Sequence, residues 1–76
     1  MRPVALIRLK SDVAGKVWKI EARPGEQVAK DAAVLVLECM KMEIPVEAPG
    51  PARVKEILVR EGDTVAEGQD VAILES

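Results

Sequence analysis

Short apolar runs broken by turn residues succeed one another along this chain, and their lengths are those of β-strands rather than helices. Residues 16–22 and 53–59 are β-rich runs that each lead into a glycine turn. A short strand follows in each case, Gln27-Val28-Ala29 or Thr64-Val65-Ala66. A second tight turn then leads into Val34-Leu35-Val36-Leu37 or Val71-Ala72-Ile73-Leu74. The pattern is therefore a repeat. At an offset of 37 positions, the step from Val17 to Val54, the halves align without gaps. Ile20 falls on Ile57, Arg23 on Arg60, Gly25 on Gly62, Val28 on Val65, Ala29 on Ala66, Val34 on Val71, Leu37 on Leu74 and Glu38 on Glu75. Most of these are apolar positions or turn glycines, which dictate a fold.

The turns carry their own chemistry. Pro24-Gly25 is the pair expected at the centre of a type II turn, with Pro presetting φ and Gly supplying φ > 0. In the second turn Asp31 is equivalent to Gly68, and Asp tolerates a left-handed backbone better than most residues. One stretch is ambiguous, because Val54, Ile57 and Leu58 have helical spacing. Its copy, Val17-Trp18-Lys19-Ile20, is β-branched and aromatic, and flanking Gly and Pro leave it too short for a stable helix. A strand with a bulge reconciles the two. Residues 4–9 add a further strand. Neither half can bury its apolar face alone, so the expected fold is all-β, a pseudo-twofold sandwich or flattened barrel.

Between the copies lies Cys39-Met40-Lys41-Met42-Glu43-Ile44-Pro45-Val46. Strands at Leu37-Glu38 and Ile44-Val46 make residues 39–42 a hairpin tip. The offset carries Lys41 onto Val4 in one direction and past Ser76 in the other, so a twofold axis puts Lys41 at one pole and both chain ends at the other. The tip has no glycine or asparagine, unlike most tight hairpins. Met40 and Met42 suit an adaptable binding surface. Composition alone leaves open whether they instead fold back as satellite core.

The totals narrow the function. Seventy-six residues make one small domain spanning 1–76, with no room for an enclosed catalytic pocket. The chain has no histidine, a single cysteine and no phosphate-cradling glycine loop, so it is not expected to be an enzyme or to hold a metal. Cys39 alone rules out an internal disulfide and fits a reducing, cytoplasmic setting. A net charge of −2 with mixed signs, and Trp18 as the sole aromatic, argue against nucleic acid. The apolar run at Val4-Ala5-Leu6-Ile7 is too short for a membrane span or a signal peptide.

At Glu38-Cys39-Met40-Lys41-Met42-Glu43 the chain resembles the biotin-accepting branch of the biotinyl/lipoyl attachment domains. Gly15-Lys16-Val17, Pro24-Gly25, Ala48-Pro49, Val54-Lys55-Glu56-Ile57 and Glu61-Gly62-Asp63-Thr64-Val65 look like further signatures of that family. The resemblance implies a barrel-sandwich hybrid of two four-stranded antiparallel sheets with the acceptor lysine on the hairpin joining the halves. It implies that a biotin ligase loads Lys41 with biotin. The arm then carries CO2 between the biotin carboxylase and carboxyltransferase sites of a biotin-dependent carboxylase. Met40 and Met42 would mark this lysine for the ligase, and Glu38 and Glu43 are further candidates for ligase recognition.

Three departures stand out. Cys39 replaces a smaller residue and is expected to act as a small buried hydrophobe. Pro45 cannot donate to a ladder, which points to an edge or a bulge. No insertion separates Ala22 from Pro24, so the protruding thumb of some carboxylase carriers is not expected, and the chain looks like a compact carrier or an isolated domain. Two other functions compete. Lipoate could replace or accompany biotin, although lipoyl domains usually carry Asp-Lys-Ala at the tip. An unmodified lipoyl-like interaction module of the membrane-fusion type would need no acceptor lysine, but would normally have a long helical hairpin between the halves.

Overall fold

The computed structural model describes residues 5–76, all of it strand, turn or coil. Eight strands are formed: β1 (Leu6–Lys10), β2 (Gly15–Ile20), β3 (Gln27–Val28), β4 (Ala33–Cys39), β5 (Met42–Glu47), β6 (Ala52–Ile57), β7 (Thr64–Val65) and β8 (Asp70–Glu75). They make two four-stranded antiparallel sheets, ordered β1-β8-β6-β3 and β5-β4-β2-β7. The strand expected at residues 4–9 is β1, and Val4 lies outside the described residues.

The offset of the two halves is reproduced bond by bond. Gly25 N donates to Val54 O at 2.7 Å, and Gly62 N donates to Val17 O at 2.8 Å. Val54 N reaches Glu26 O, and Val17 N reaches Asp63 O, both at 2.8 Å. Each type II turn closes through its first carbonyl, Glu26 N to Arg23 O and Asp63 N to Arg60 O, both at 3.0 Å. Gly25 and Gly62 share φ 94°, while Asp31 and Gly68 have φ 68° and 82°. The left-handed position expected of Asp31 is therefore real. The expected bulge is present in both copies. The register of β2 on β4 shifts between Val17 and Lys19, and that of β6 on β8 between Val54 and Glu56. Trp18 and Lys55 are the extra residues.

The halves are not separate layers, however. β3 of the first half pairs with β6, and β7 of the second pairs with β2. Each half thus lends a two-residue strand to the other's sheet, which locks the halves together. The core lies between the sheets. Val17, Val34, Leu35 and Leu37 meet their copies Val54, Val71, Ala72 and Leu74, and all eight are buried. Fully burying an aliphatic side chain of this size is worth about 1.5–3 kcal/mol. Among the described residues Ser11 is the one buried polar residue, and its hydroxyl donates to the Val13 carbonyl.

β2 starts beside the end of β4, with Lys16 opposite Glu38, and runs away from it to Ile20. Seven residues on, Gln27 pairs with Arg53, which sits beside Glu75. The β4–β5 tip and the pairing of Leu6 with Glu75 therefore occupy opposite ends of the molecule. Ala5 and Ser76 exchange backbone hydrogen bonds at that far end, at 3.4 and 3.0 Å. At the other end of this ladder, β1 is pinned to β8 by Lys10, whose ammonium meets Asp70 at 2.7 Å and holds that carboxyl below its ordinary range.

Candidate functional site

The last paired residues of the β4–β5 hairpin are Cys39 and Met42, so the loop is two residues long. A two-residue loop follows the twist of its strands when both central residues have φ > 0. Met40 has φ 52° and Lys41 φ 64°. Neither residue type favours that region, and each such residue costs roughly 1–2 kcal/mol there. The surrounding ladder sustains the strain. Leu37, fully buried, faces Ile44, and the register holds without a shift from Leu35 to Cys39. Lys41 is thereby fixed at the apex by backbone geometry, with its side chain exposed.

Met40 is 90% exposed and Met42 64%, so the methionines do not fold back as satellite core. Glu38 and Glu43, both exposed, face each other across the ladder below the turn. Like charges placed opposite destabilise a strand pair. All five residues proposed from sequence thus gather at one corner. Cys39 departs from expectation, being half-buried rather than buried. It sits at the ladder's last rung, beside solvent, where the core no longer covers it. Pro45 lies in β5, an edge strand, as its missing N–H requires. Among the described residues no cluster could hold a metal ion.

Sequence reading missed the brace beneath the tip. Gly15 lies so close to β4 that a Cβ there would stand 2.7 Å from the Glu38 carbonyl oxygen and 3.5 Å from the Cys39 Cβ. The available signal was the repeat itself, which pairs Gly15 with Ala52. Lys16 flanks Glu38 on the next strand.

The turn strain is open to test. Met40→Gly is expected to raise stability by about 0.5–1 kcal/mol, since glycine reaches φ > 0 without the Cβ clash. Met42→Gly, inside a strand, should lower it. Urea midpoints measure both, and a lower midpoint for Met40→Gly would show the turn unstrained.

A lysine lifted on a strained turn between two interlocked half-barrels defines a carrier-domain architecture. Comparison with known proteins agrees. The family model described as "Biotin-requiring enzyme" matches residues 8–75. The chain belongs to the biotin/lipoyl attachment domain family, whose members are carriers and not themselves catalytic. It is 46% identical over 56 residues to the biotin/lipoyl attachment protein of Bacillus subtilis (strain 168), covering 74% of this chain and 77% of that one. It is 43% identical over 54 residues to a probable dihydrolipoyllysine-residue succinyltransferase component of the 2-oxoglutarate dehydrogenase complex of Schizosaccharomyces pombe, covering 71% of this chain but 12% of that protein. Among solved structures, Kluyveromyces lactis urea carboxylase superposes with a TM-score of 0.88 at 34% identity, over 97% of this chain and 6% of the enzyme. The chain thus matches a protein of its own size and also short segments of much larger ones.

Proposed function

We propose that the chain, as one domain, is a biotin carboxyl carrier whose covalent cargo is held on Lys41. The observation that carries this reading is the turn apex: an exposed amine between two exposed methionines, on a backbone the ladder does not let relax. In the loading step Lys41 Nζ, having lost a proton to the ligase site, attacks the carbonyl of biotinyl-adenylate. A C–N bond forms, the acyl–phosphate bond breaks, and AMP leaves. Met40 and Met42 offer the ligase polarisable contacts on either side of the amine, and Glu38 and Glu43 offer charge just below. When bound, biotin supplies a ureido nitrogen that accepts and releases CO2 at the carboxylase and carboxyltransferase sites. The domain contributes tethering, which raises the effective concentration of the arm at each site to the millimolar range. The lone half-buried thiol of Cys39 suits a cytoplasmic carrier.

Lipoate is the second reading. It is favoured by the succinyltransferase relative and by the Bacillus protein, which is named for both groups. The Met-Lys-Met tip and the resemblance to urea carboxylase support biotin as the principal cargo.

Co-expression with biotin ligase is expected to add one biotinyl group by intact mass, and Lys41→Arg to remove the gain entirely. Parallel co-expression with lipoate ligase measures the second cargo. An unchanged wild-type mass with both ligases would refute the carrier reading.

A further inference from the structure

The repeat supplies an internal control for the two ends of the molecule. At the end away from the tip, Lys55 and Glu75 form an ion pair at 4.0 Å. Their equivalents beside the tip are Trp18 and Glu38. The ion pairs among the described residues are Arg8–Asp70, Lys10–Asp70, Lys19–Glu21 and Lys55–Glu75, and Glu38 takes part in none of them. Trp18, the chain's only aromatic, stands half-exposed (49%) at the β2 bulge. Lys16, Val17, Trp18, Glu38 and Gly62 line a half-open concavity of about 240 Å³. Its far wall is the turn at residues 60–63, held by Gly62 N to Val17 O at 2.8 Å and by Ile20 N to the Glu61 carboxylate at 3.0 Å. The far pole also has a concavity, of about 310 Å³ and lined by Arg53 and Glu75, but there the carboxylate is engaged by Lys55, whereas beside the tip an aromatic face and an unpaired carboxylate stand open to water.

We propose that this concavity is a docking site for the bicyclic head of the biotin tethered to Lys41, an inference that rests on the carrier reading above. The chemistry is complementary. A cyclic ureido group offers two diverging N–H donors, one of which the Glu38 carboxylate accepts, and one carbonyl between them, to which the Lys16 ammonium donates. The apolar ring body lies against the indole of Trp18. Reach is sufficient: with strands about 4.8 Å apart and about 3.3 Å of rise per residue, Glu38 and Lys16 lie roughly 10 Å from the Lys41 Cα and Trp18 roughly 16 Å. An extended arm of about ten bonds advances roughly 12 Å before the ring begins. The cavity is smaller than a typical ligand pocket of about 300–1,000 Å³. It therefore suits a head delivered by its own tether, whose effective concentration offsets weak intrinsic affinity. Docking shields the head between visits to partners.

The test compares apo and fully biotinylated protein, with loading verified by intact mass. In ¹H–¹⁵N spectra the Trp18 indole N–H and the Lys16 and Gly62 amides are expected to shift on loading, as well as residues 40–42. Streptavidin capture of the loaded protein is expected to be about threefold slower for wild type than for Trp18→Lys, because only the undocked fraction is competent. Lysine is tolerated at the equivalent bulge as Lys55, so this variant keeps the fold. Glu38→Gln is expected to speed capture as well. Shifts confined to residues 40–42, or equal capture by wild type and Trp18→Lys, would overturn docking while leaving the carrier reading intact. Absence of any mass gain would overturn both.

Discussion

Leu37→Ala is expected to cost about 2–5 kcal/mol, the range for truncating a fully buried leucine. A chain of this length has roughly 4–11 kcal/mol in total, so the substitution removes a large share of it and should lower the melting temperature by roughly 10–40 °C. Leu37 is fully buried, with Val17 opposite it on one side and Ile44 on the other. The interlocked sheets limit collapse into the space left behind. The repeat sharpens the expectation. Leu74 holds the equivalent place, also fully buried, between Val54 and Ile7. Leu74→Ala should therefore melt at nearly the same temperature as Leu37→Ala. Thermal melts followed by far-UV circular dichroism measure both. A fall of only a few degrees for one, against a large fall for the other, would mean that the two positions in the core are not equivalent.

Gly15→Val is expected to damage the tip and the fold together. The added Cβ would lie 2.7 Å from the Glu38 carbonyl oxygen, a backbone atom that cannot rotate aside. β2 must then part from β4 at the very end that holds the turn. Overpacking of this kind costs about 1–3 kcal/mol, and the displaced backbone at Glu38 and Cys39 re-aims Lys41. The expected result is a lower melting temperature and a slower gain of biotinyl mass under conditions where the variant stays folded. Gly50→Ala is the control: nothing lies within 4 Å of its would-be Cβ and its φ is not left-handed. It should load at the wild-type rate. A Gly15→Val protein that loads as fast as Gly50→Ala would show that the brace has no part in presenting the amine.

Much of this architecture was legible because the chain states it twice. The ambiguous run at Val54, Ile57 and Leu58 became a bulged strand once Val17-Trp18-Lys19-Ile20 was recognised as its copy. Asp31 could be assigned a left-handed backbone because Gly68 occupies the equivalent place. The exchange of β3 and β7 between sheets was not legible. Two-residue strands such as Gln27–Val28 contain too little alternation to reveal a partner. The conformation of Met40 and Lys41 was hidden for another reason. Their side chains encode no preference for positive φ; the requirement comes from the register that closes the ladder at Cys39 and Met42. The concavity beside Trp18 depends on which turn the β2 bulge faces, and that follows from pairing across the two halves.

A carrier must also let go of every surface it visits. The hairpin that presents Lys41 runs along the outermost strand of its sheet, where an unguarded backbone would invite a host protein to extend the sheet. Pro45 withdraws a donor from that margin, β3 and β7 offer only two residues each, and β1 carries Arg8 and Lys10. With all four margins blunted, no edge invites a partner to extend a sheet, and a protein that grips only the corner can leave without breaking a ladder.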